Sequence, residues 1–276
     1  MNLTQTTTPP NPAQKTPATS HIPPATPQNK QSVGYMHYVC DFTSPFNTQE
    51  PWDNSGLNLG ALTQEFDKLY ITLELTHDLA RSISPNSLII AHHPLFFKTI
   101  KSFDTASYPC NIARELIAKD CALIAMHTNF DKSHLNEYFT QEILGFTHFV
   151  QDSLYCHGRI EKTSFANLAN ALKSKLGLET LRVCQSSESI EHIFVICGSG
   201  FSEIAHIAAQ NLPNSLLISG DLKYHDAMIA KSLGLNLIDI PHYESEKYFT
   251  QILDSLLKNA GYQAIIMDCK NPITHI

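Results

Sequence analysis

Short apolar runs rich in β-forming residues alternate with helical stretches from residue 35 onward, and this alternation constrains the fold more than any other feature. It predicts an α/β fold with mainly parallel sheets flanked by helices. Strands are predicted at residues 69–75, 87–91, 121–126, 192–197, 215–218, 235–240 and 263–268. Helices are predicted at residues 77–83, 111–119, 165–176, 202–210, 225–233 and 244–259. The regular pattern is poorest near residues 132–160, which predicts two lobes, roughly 35–132 and 133–276.

Residues 1–34 differ from the rest of the chain. They are rich in Thr, Pro, Gln and Asn, hold seven of the fifteen prolines, and contain few large apolar residues. Such a segment cannot bury enough surface to fold, which predicts a disordered tail ahead of a catalytic unit at residues 35–276. Its lack of arginine argues against a transit peptide. We hypothesise that translation starts at Met36 or that the tail is dispensable.

Charge and cysteine content exclude several classes of protein. The formal net charge is -7, with 26 acidic and 19 basic residues and no run of Lys or Arg, which argues against nucleic acid as a partner. The absence of a transmembrane-length apolar stretch and of a signal peptide argues against a membrane partner and predicts a cytoplasmic location. The seven cysteines are widely spaced without a C-x-x-C, which favours reduced thiols over disulfides or a thiolate zinc site.

Potential metal ligands follow four of the predicted strands. Ligands of open α/β sheets bind beyond the carboxyl ends of the strands, so side chains at these positions are candidates for a site. Each segment alone also fits a solvated turn, a cap or a helix-start carboxylate. Together, five side chains suit two divalent metal ions per subunit, namely His92, His93, Asp131, His242 and Glu246. Imidazole and carboxylate ligands without thiolate favour Zn, Fe or Mn.

A pair of ions predicts a reaction class. Two ions about 3.5–4 Å apart can lower the pKa of a bound water toward about 7, which makes hydrolysis the natural chemistry. In the segment from Ser219 to Asp226, His225 is a candidate general acid oriented by Asp226, or an exposed residue on a helix capped by Asp221. The segment from Cys197 to Gly200 is interpreted as a tight turn rather than a phosphate cradle, and Trp52 to Leu57 as a packed turn.

Five segments, taken together, resemble one known family. They are W-D-N-S-G-L at 52–57, H-H-P-L-F-F at 92–97, H-T-N-F-D at 127–131, S-G-D-L-K-Y-H-D at 219–226 and H-Y-E-S-E at 242–246. They resemble, in the same order, the dinuclear-metal proteins known as GTP cyclohydrolase I type 2, also called the NGG-interacting-factor-three-like family. The resemblance implies two interlocked α/β lobes, with the metal pair in the cleft between them, and a ring-shaped homohexamer.

The resemblance also implies site residues and an activity. The family's metal ligands map onto the same five positions, His127 becomes a near neighbour of the site, and Tyr224 and His225 line the cleft as catalytic residues. The implied reaction converts GTP and water to 7,8-dihydroneopterin triphosphate and formate, with His225 transferring protons. Two alternatives stay open: another metal-dependent hydrolase, such as a nucleotide or metabolite phosphatase, and a non-enzymatic metal-binding adaptor or regulator.

Overall fold

The computed structural model describes residues 22–24 and 32–274. Helix α1 (Val33–Thr43) begins after Ser32, whose hydroxyl accepts the N–H of Tyr35 at 3.2 Å. Val33 is fully buried, so Val33 and Gly34 belong to the folded unit and not to the tail in which the sequence prediction put them. Met36 is buried inside the same helix, so a chain starting there would lose the cap. Residues 1–21 and 25–31 of the predicted tail lie outside the described residues.

The strands of the described chain form two sheets. Their bounds are Gly56–Leu59 (β1), Lys68–Thr72 (β2), Ser87–Ala91 (β3), Ala122–Ala125 (β4), Val150–Asp152 (β5), Tyr155–Ser164 (β6), Arg182–Cys184 (β7), Ser189–Val195 (β8), Ser215–Ser219 (β9), Asn236–Asp239 (β10) and Ile265–Ile266 (β11). The first sheet has the order β1-β4-β3-β2-β11, and only β1 runs antiparallel to its neighbour. The second has the order β5-β6-β8-β9-β10-β7, with a parallel centre at β8-β9-β10 and antiparallel strands at both edges.

Helices flank both sheets, so the predicted α/β class is confirmed. After α1 they are His77–Ser82 (α2), Cys110–Ala118 (α3), Thr128–Phe130 (α4), Asn136–Tyr138 (α5), Phe165–Lys175 (α6), Ile204–Ala208 (α7), Tyr224–Leu233 (α8), His242–Glu246 (α9) and Phe249–Asn259 (α10). Short 3₁₀ helices lie at Phe46–Thr48 and Phe201–Glu203. Across residues 32–274, no helix has both the length and the apolar character needed to cross a bilayer.

The two sheets are interlocked through the end of the chain. After completing the second sheet, the chain returns to the first, where β11 pairs with β2 in parallel, Ile265 opposite Tyr70 and Ile266 opposite Ile71. One hydrophobic core runs through both sheets, with Ile90 of β3 and Ile218 of β9 among its fully buried members. The arrangement matches the interlocked lobes that the family resemblance implies.

Residues 128–143 form a continuous helical stretch where the sequence pattern is poorest. Helices α4 and α5 alternate there with π-helical turns at Asp131–Leu135 and Phe139–Ile143. A π turn closes i→i+5 hydrogen bonds, which moves apolar residues away from the 3.6-residue spacing of an α-helix. The predicted helix 244–259 is instead two helices, α9 and α10, separated at Lys247 and Tyr248.

Candidate metal centre

The carboxyl ends of three parallel strands carry the predicted ligands. His92 and His93 follow β3 directly, and Asp131 lies on the first turn after the adjacent strand β4. His242 and Glu246 are the first and last residues of α9, which follows β10. They are four residues apart and therefore share one face of the helix. The fold thus gathers side chains from both sheets at one point.

Glu246 lies between the other predicted ligands. Its Oε2 atom is 3.0 Å from His93 Nε2 and 2.9 Å from His242 Nε2. Its Oε1 atom is 3.8 Å from His92 Nε2, which is in turn 3.5 Å from Asp131 Oδ1. All five predicted ligands therefore converge in one pocket.

His127 joins this group more closely than the sequence indicates. Candidate ligand atoms of His92, His93 and His127 lie within 4.8 Å of one another, as do those of His93, His242 and Glu246. We divide the site by the sheets that supply it. The inner cluster (His92, His127 and Asp131) is drawn from the first sheet alone, with Asp131 included because it is 3.5 Å from His92, and the outer cluster (His93, His242 and Glu246) is drawn from both sheets. Because His93 is close to both histidines of the inner cluster, the clusters adjoin.

Each of the four histidines has its Nδ1 atom held by an oxygen acceptor at 2.8 Å. The acceptors of His92, His93, His127 and His242 are, respectively, the Met126 carbonyl and the carboxylates of Glu74, Asp53 and Asp221. Such a bond fixes the ring orientation and leaves the Nε2 lone pair free to ligate a cation. The sequence reading missed Asp53, Glu74 and Asp221 in this role.

Three buried atoms of the site lack hydrogen-bond partners: His92 Nε2, Asp131 Oδ1 and Glu246 Oε2. The two nearby imidazoles approach Glu246 Oε2 without hydrogen-bond geometry. Buried polar atoms without partners are costly, because they have lost their water and gained nothing in exchange. Divalent cations in the two clusters would satisfy these atoms, and the imidazole and carboxylate donors are those expected for Zn, Fe or Mn.

The surroundings separate the pKa values of the histidines. Burial lowers the pKa of His92 to about 4, even though the nearby Glu246 raises it. Burial also lowers the pKa of His93, but the carboxylates of Glu246 and Glu74 outweigh it and raise the value to about 10. His242 behaves in the same way, with Asp221 and Glu246 raising its pKa to about 10. Without a cation, His92 is therefore neutral and the two outer histidines carry protons.

The turn at Cys197 to Gly200 brings the backbone against Glu246. Gly198 has φ +63°, and a Cβ there would overlap Glu246 Oε1, so only glycine fits. The Gly198 N–H donates to Ser245 Oγ at 2.9 Å, and the Gly200 N–H donates to Ser219 Oγ at 2.8 Å. These donors are already used within the protein, which agrees with the predicted tight turn and leaves them unable to cradle a phosphate.

A cavity of about 910 Å³ opens beside the outer cluster. His93 and His242 form part of its wall, together with the aromatic rings of Phe97, Tyr108 and Tyr243. The C-terminal residues 269–273 form another part, and Arg182 and Lys270 supply cationic side chains. A volume of this size suits a small-molecule substrate with an aromatic part.

Tyr224 and His225 lie apart from the cavity wall. Both are exposed on the first turn of α8, where their ring centroids are 5.4 Å apart. The Asp226 carboxylate accepts the Lys223 N–H at 3.1 Å, so it caps α8 instead of orienting His225. Asp221, the alternative cap, instead accepts from His242. The catalytic role of Tyr224 and His225 stays a prediction.

Known proteins resemble this chain over most of its length. The model of the Duf34/NIF3 (NGG1p interacting factor 3) family matches residues 33–272. The chain is 44% identical to "GTP cyclohydrolase 1 type 2" of Helicobacter pylori over 235 residues, which cover 85% of this chain and 95% of that protein. It is 43% identical to the "GTP cyclohydrolase 1 type 2 homolog" of Campylobacter jejuni, covering 87% and 98% of the two chains.

Solved structures share the fold. A Staphylococcus aureus hypothetical protein superposes with a TM-score of 0.76 at 25% identity, covering 90% of this chain and 100% of that one. A Bacillus cereus protein related to NIF3 superposes with a TM-score of 0.73 at 17% identity and the same coverage. From the family match and these identities, the chain belongs to the Duf34/NIF3 family.

Proposed function

We propose that the protein is a metal-dependent hydrolase that converts GTP and water to 7,8-dihydroneopterin triphosphate and formate in the cytoplasm. The observation that carries the proposal is the convergence of two ligand clusters, with three unpartnered buried atoms, beside a cavity of about 910 Å³. GTP is favoured as substrate because relatives at 44% and 43% identity bear the name GTP cyclohydrolase 1 type 2.

The inner and outer clusters would each hold one divalent ion, Zn, Fe or Mn. Bound ions would supply Lewis-acid activation of water and polarisation of the guanine ring. The carboxylates of Asp53, Glu74 and Asp221 fix the orientation of three imidazole rings through hydrogen bonds. The Glu246 carboxylate approaches histidines of both clusters. The cavity beside His93 would hold the substrate against this pair.

In the proposed reaction two water molecules hydrolyse, in turn, the two bonds from C8 of guanine to its ring nitrogens, and C8 leaves as formate. The ribosylamine then rearranges to an amino ketone, whose carbonyl condenses with the freed N7 amine and loses one water, so that the net reaction consumes one water. The freed nitrogens must receive protons. We propose His225 for that transfer, because it follows the cavity-lining Asp221 by four residues, with Tyr224 beside it as the second catalytic residue. His225→Gln should lower kcat for formate release without changing metal content, whereas Asp226→Asn, which removes only the charge of the capping carboxylate, should leave kcat unchanged.

The test uses purified full-length protein loaded in turn with Zn²⁺, Fe²⁺ or Mn²⁺ and supplied with GTP. Formate is measured enzymatically, and dihydroneopterin triphosphate by its fluorescence after oxidation. Asp131→Asn serves as the inactive control, because it keeps the side-chain volume and removes a buried ligand charge. Phosphate release without formate would identify a phosphatase instead, and the absence of both products with every metal would refute the proposed reaction.

We also propose a ring-shaped homohexamer. Large apolar side chains on α8 support an assembly contact, because Tyr224, Met228 and Leu233 are exposed although they belong to residue types that usually pack. Light scattering coupled to size-exclusion chromatography gives the mass. A monomeric mass at micromolar concentration would contradict the proposal.

A further inference from the structure

Two exposed aromatic rings lie against the metal centre. The side chains of Trp52 and Phe97 are 55% and 47% exposed. Their ring centroids are 5.6 Å apart, and each ring also contacts His127, at 6.1 Å from Trp52 and 5.7 Å from Phe97. Phe97 in addition lines the cavity beside His93. Two large rings are thus presented to solvent at the edge of the inner cluster.

The protein holds these rings in place rather than leaving them on loose loops. Asp53, next to Trp52, accepts from His127 Nδ1 at 2.8 Å and from the Thr128 N–H at 3.0 Å. The Asn54 side chain donates to the Phe96 carbonyl at 2.8 Å, which ties the Trp52 turn to the loop that carries Phe97. The residue next to Trp52 therefore orients a candidate metal ligand, and the loop that carries Phe97 is tied to the same turn. A fixed, exposed aromatic pair is costly in water unless something covers it.

We propose that Trp52 and Phe97 form a stacking surface for the planar heteroaromatic ring of the substrate, a purine base. The inference rests on the proposed function, because it supplies the position of the base whose C8 reacts at the metal centre. Aromatic faces bind such rings by offset stacking, with little dependence on the ring's hydrogen-bonding edge. The surface continues into the cavity through Phe97, so the rest of the nucleotide has room beyond the base.

The chain offers a direct probe of this surface, because Trp52 is its only tryptophan. The zinc-loaded full-length protein is titrated with guanosine, with GTP, and with inorganic triphosphate, which has no base. Tryptophan emission is excited at a wavelength where guanine absorbs little, and free N-acetyltryptophanamide corrects for absorbed light. Quenching is expected with guanosine and GTP and absent with triphosphate. Equal quenching by triphosphate, or none by guanosine, would overturn the proposal.

Variants test the stacking itself, with guanosine affinity measured by calorimetry and metal content measured for each protein. Trp52→Ala and Phe97→Leu are each expected to weaken guanosine binding about tenfold, the effect of losing one stacked aromatic. Trp52→Phe should retain most of the affinity because it keeps an aromatic face. Tyr38→Ala is the matched control, since Tyr38 is similarly exposed but lies on α1, outside the cavity wall.

The outcomes separate this inference from the proposed reaction. If guanosine binding depends on Trp52 but the protein releases no formate, the stacking surface is supported and the proposed reaction is refuted. If Trp52→Ala and Phe97→Leu release formate with an unaltered KM for GTP, the proposed reaction is supported and the proposed stacking surface is refuted. A change of oligomeric mass in these variants with unchanged guanosine affinity would identify the rings as an assembly contact and also overturn the inference.

Discussion

The inner and outer clusters place the same kinds of side chain in different surroundings. The side chains of His92 and Asp131 in the inner cluster are 0% and 7% exposed, and they come from the ends of two adjacent strands. In the outer cluster, the side chains of His93 and His242 are 21% and 32% exposed and form part of the cavity wall. The burial of the histidines, rather than the ligand type, therefore distinguishes the two clusters. We expect an ion in the inner cluster to contribute more to the stability of the fold and one in the outer cluster to face the cavity.

Glu246→Gln should have the largest effect, because this carboxylate approaches histidines of both clusters. Gln keeps the volume and removes the charge, so we expect metal content to fall at both clusters and formate release to fall by at least about a hundredfold. Elemental analysis and the formate assay measure both effects. Glu244→Gln is the matched control on the same helix, since Glu244 pairs with Lys247 outside the clusters. Full retention of the inner ion would show that Glu246 belongs to the outer cluster alone.

His92→Ala and His242→Ala should separate the clusters by stability. His92 is fully buried, and its removal leaves a void beside the buried Asp131, so we expect a loss of about 2–4 kcal/mol in the free energy of unfolding. His242 is partly exposed, and its loss should cost about 1 kcal/mol or less. Urea unfolding in the presence of a chelator measures both without a contribution from metal. Equal losses would remove the distinction between inner and outer clusters.

Metal affinity should depend on pH mainly at the outer cluster. The carboxylates around His93 and His242 raise both pKa values to about 10, so at neutral pH each histidine must lose a proton before it can ligate. Lower pH therefore weakens binding, by up to about a hundredfold per pH unit, and the dependence ends above about pH 10. His92, with a pKa of about 4, adds no such dependence near neutrality. Burial and the nearby Glu246 raise the pKa of Asp131, so this carboxyl adds at most one proton to the dependence of the inner cluster. Zinc competition titrations between pH 6.5 and 8.5 should resolve one steeper and one shallower site, and two identical slopes would contradict this.

The carboxylates that orient the histidines should give the smallest effects. The Asp53 side chain is fully buried behind His127, whereas that of Asp221 is 44% exposed behind His242. We expect Asp53→Asn to weaken zinc binding about a hundredfold and Asp221→Asn about tenfold, because water can replace the exposed partner. The zinc titration at pH 7.5 measures both. A larger loss of zinc affinity for Asp221→Asn than for Asp53→Asn would contradict the assignment of the inner and outer clusters.

Much of the sheet arrangement and the five candidate ligands could be predicted from the sequence. The buried parallel strands are short apolar runs, and β3 was predicted with the bounds that the structure has, Ser87–Ala91. His, Asp and Glu residues that follow such runs indicate a metal site, because parallel strands bring their carboxyl ends to one edge of the sheet. The family resemblance and the positions that follow the predicted strands point to the same five residues.

The missed features depend on contacts distant in sequence. Asp53 orients His127 from 74 residues away, and no local pattern separates it from an ordinary turn residue. Glu74 and Asp221 are likewise defined by what they touch in the folded chain. Helix α1 is different, because its buried residues Val33, Met36 and Cys40 follow helical spacing after a serine cap, a signal present in the sequence.

The return of β11 to the first sheet has a consequence for synthesis. A ribosome that has exposed residues up to about 150 has released every strand of the first sheet except its last, together with three of the four site histidines. Glu246 and β11, which pairs with β2, follow about 100 residues later. The nascent chain therefore contains the inner-cluster side chains well before the carboxylate that approaches both clusters, so the complete candidate site can form only after the second sheet has been synthesised.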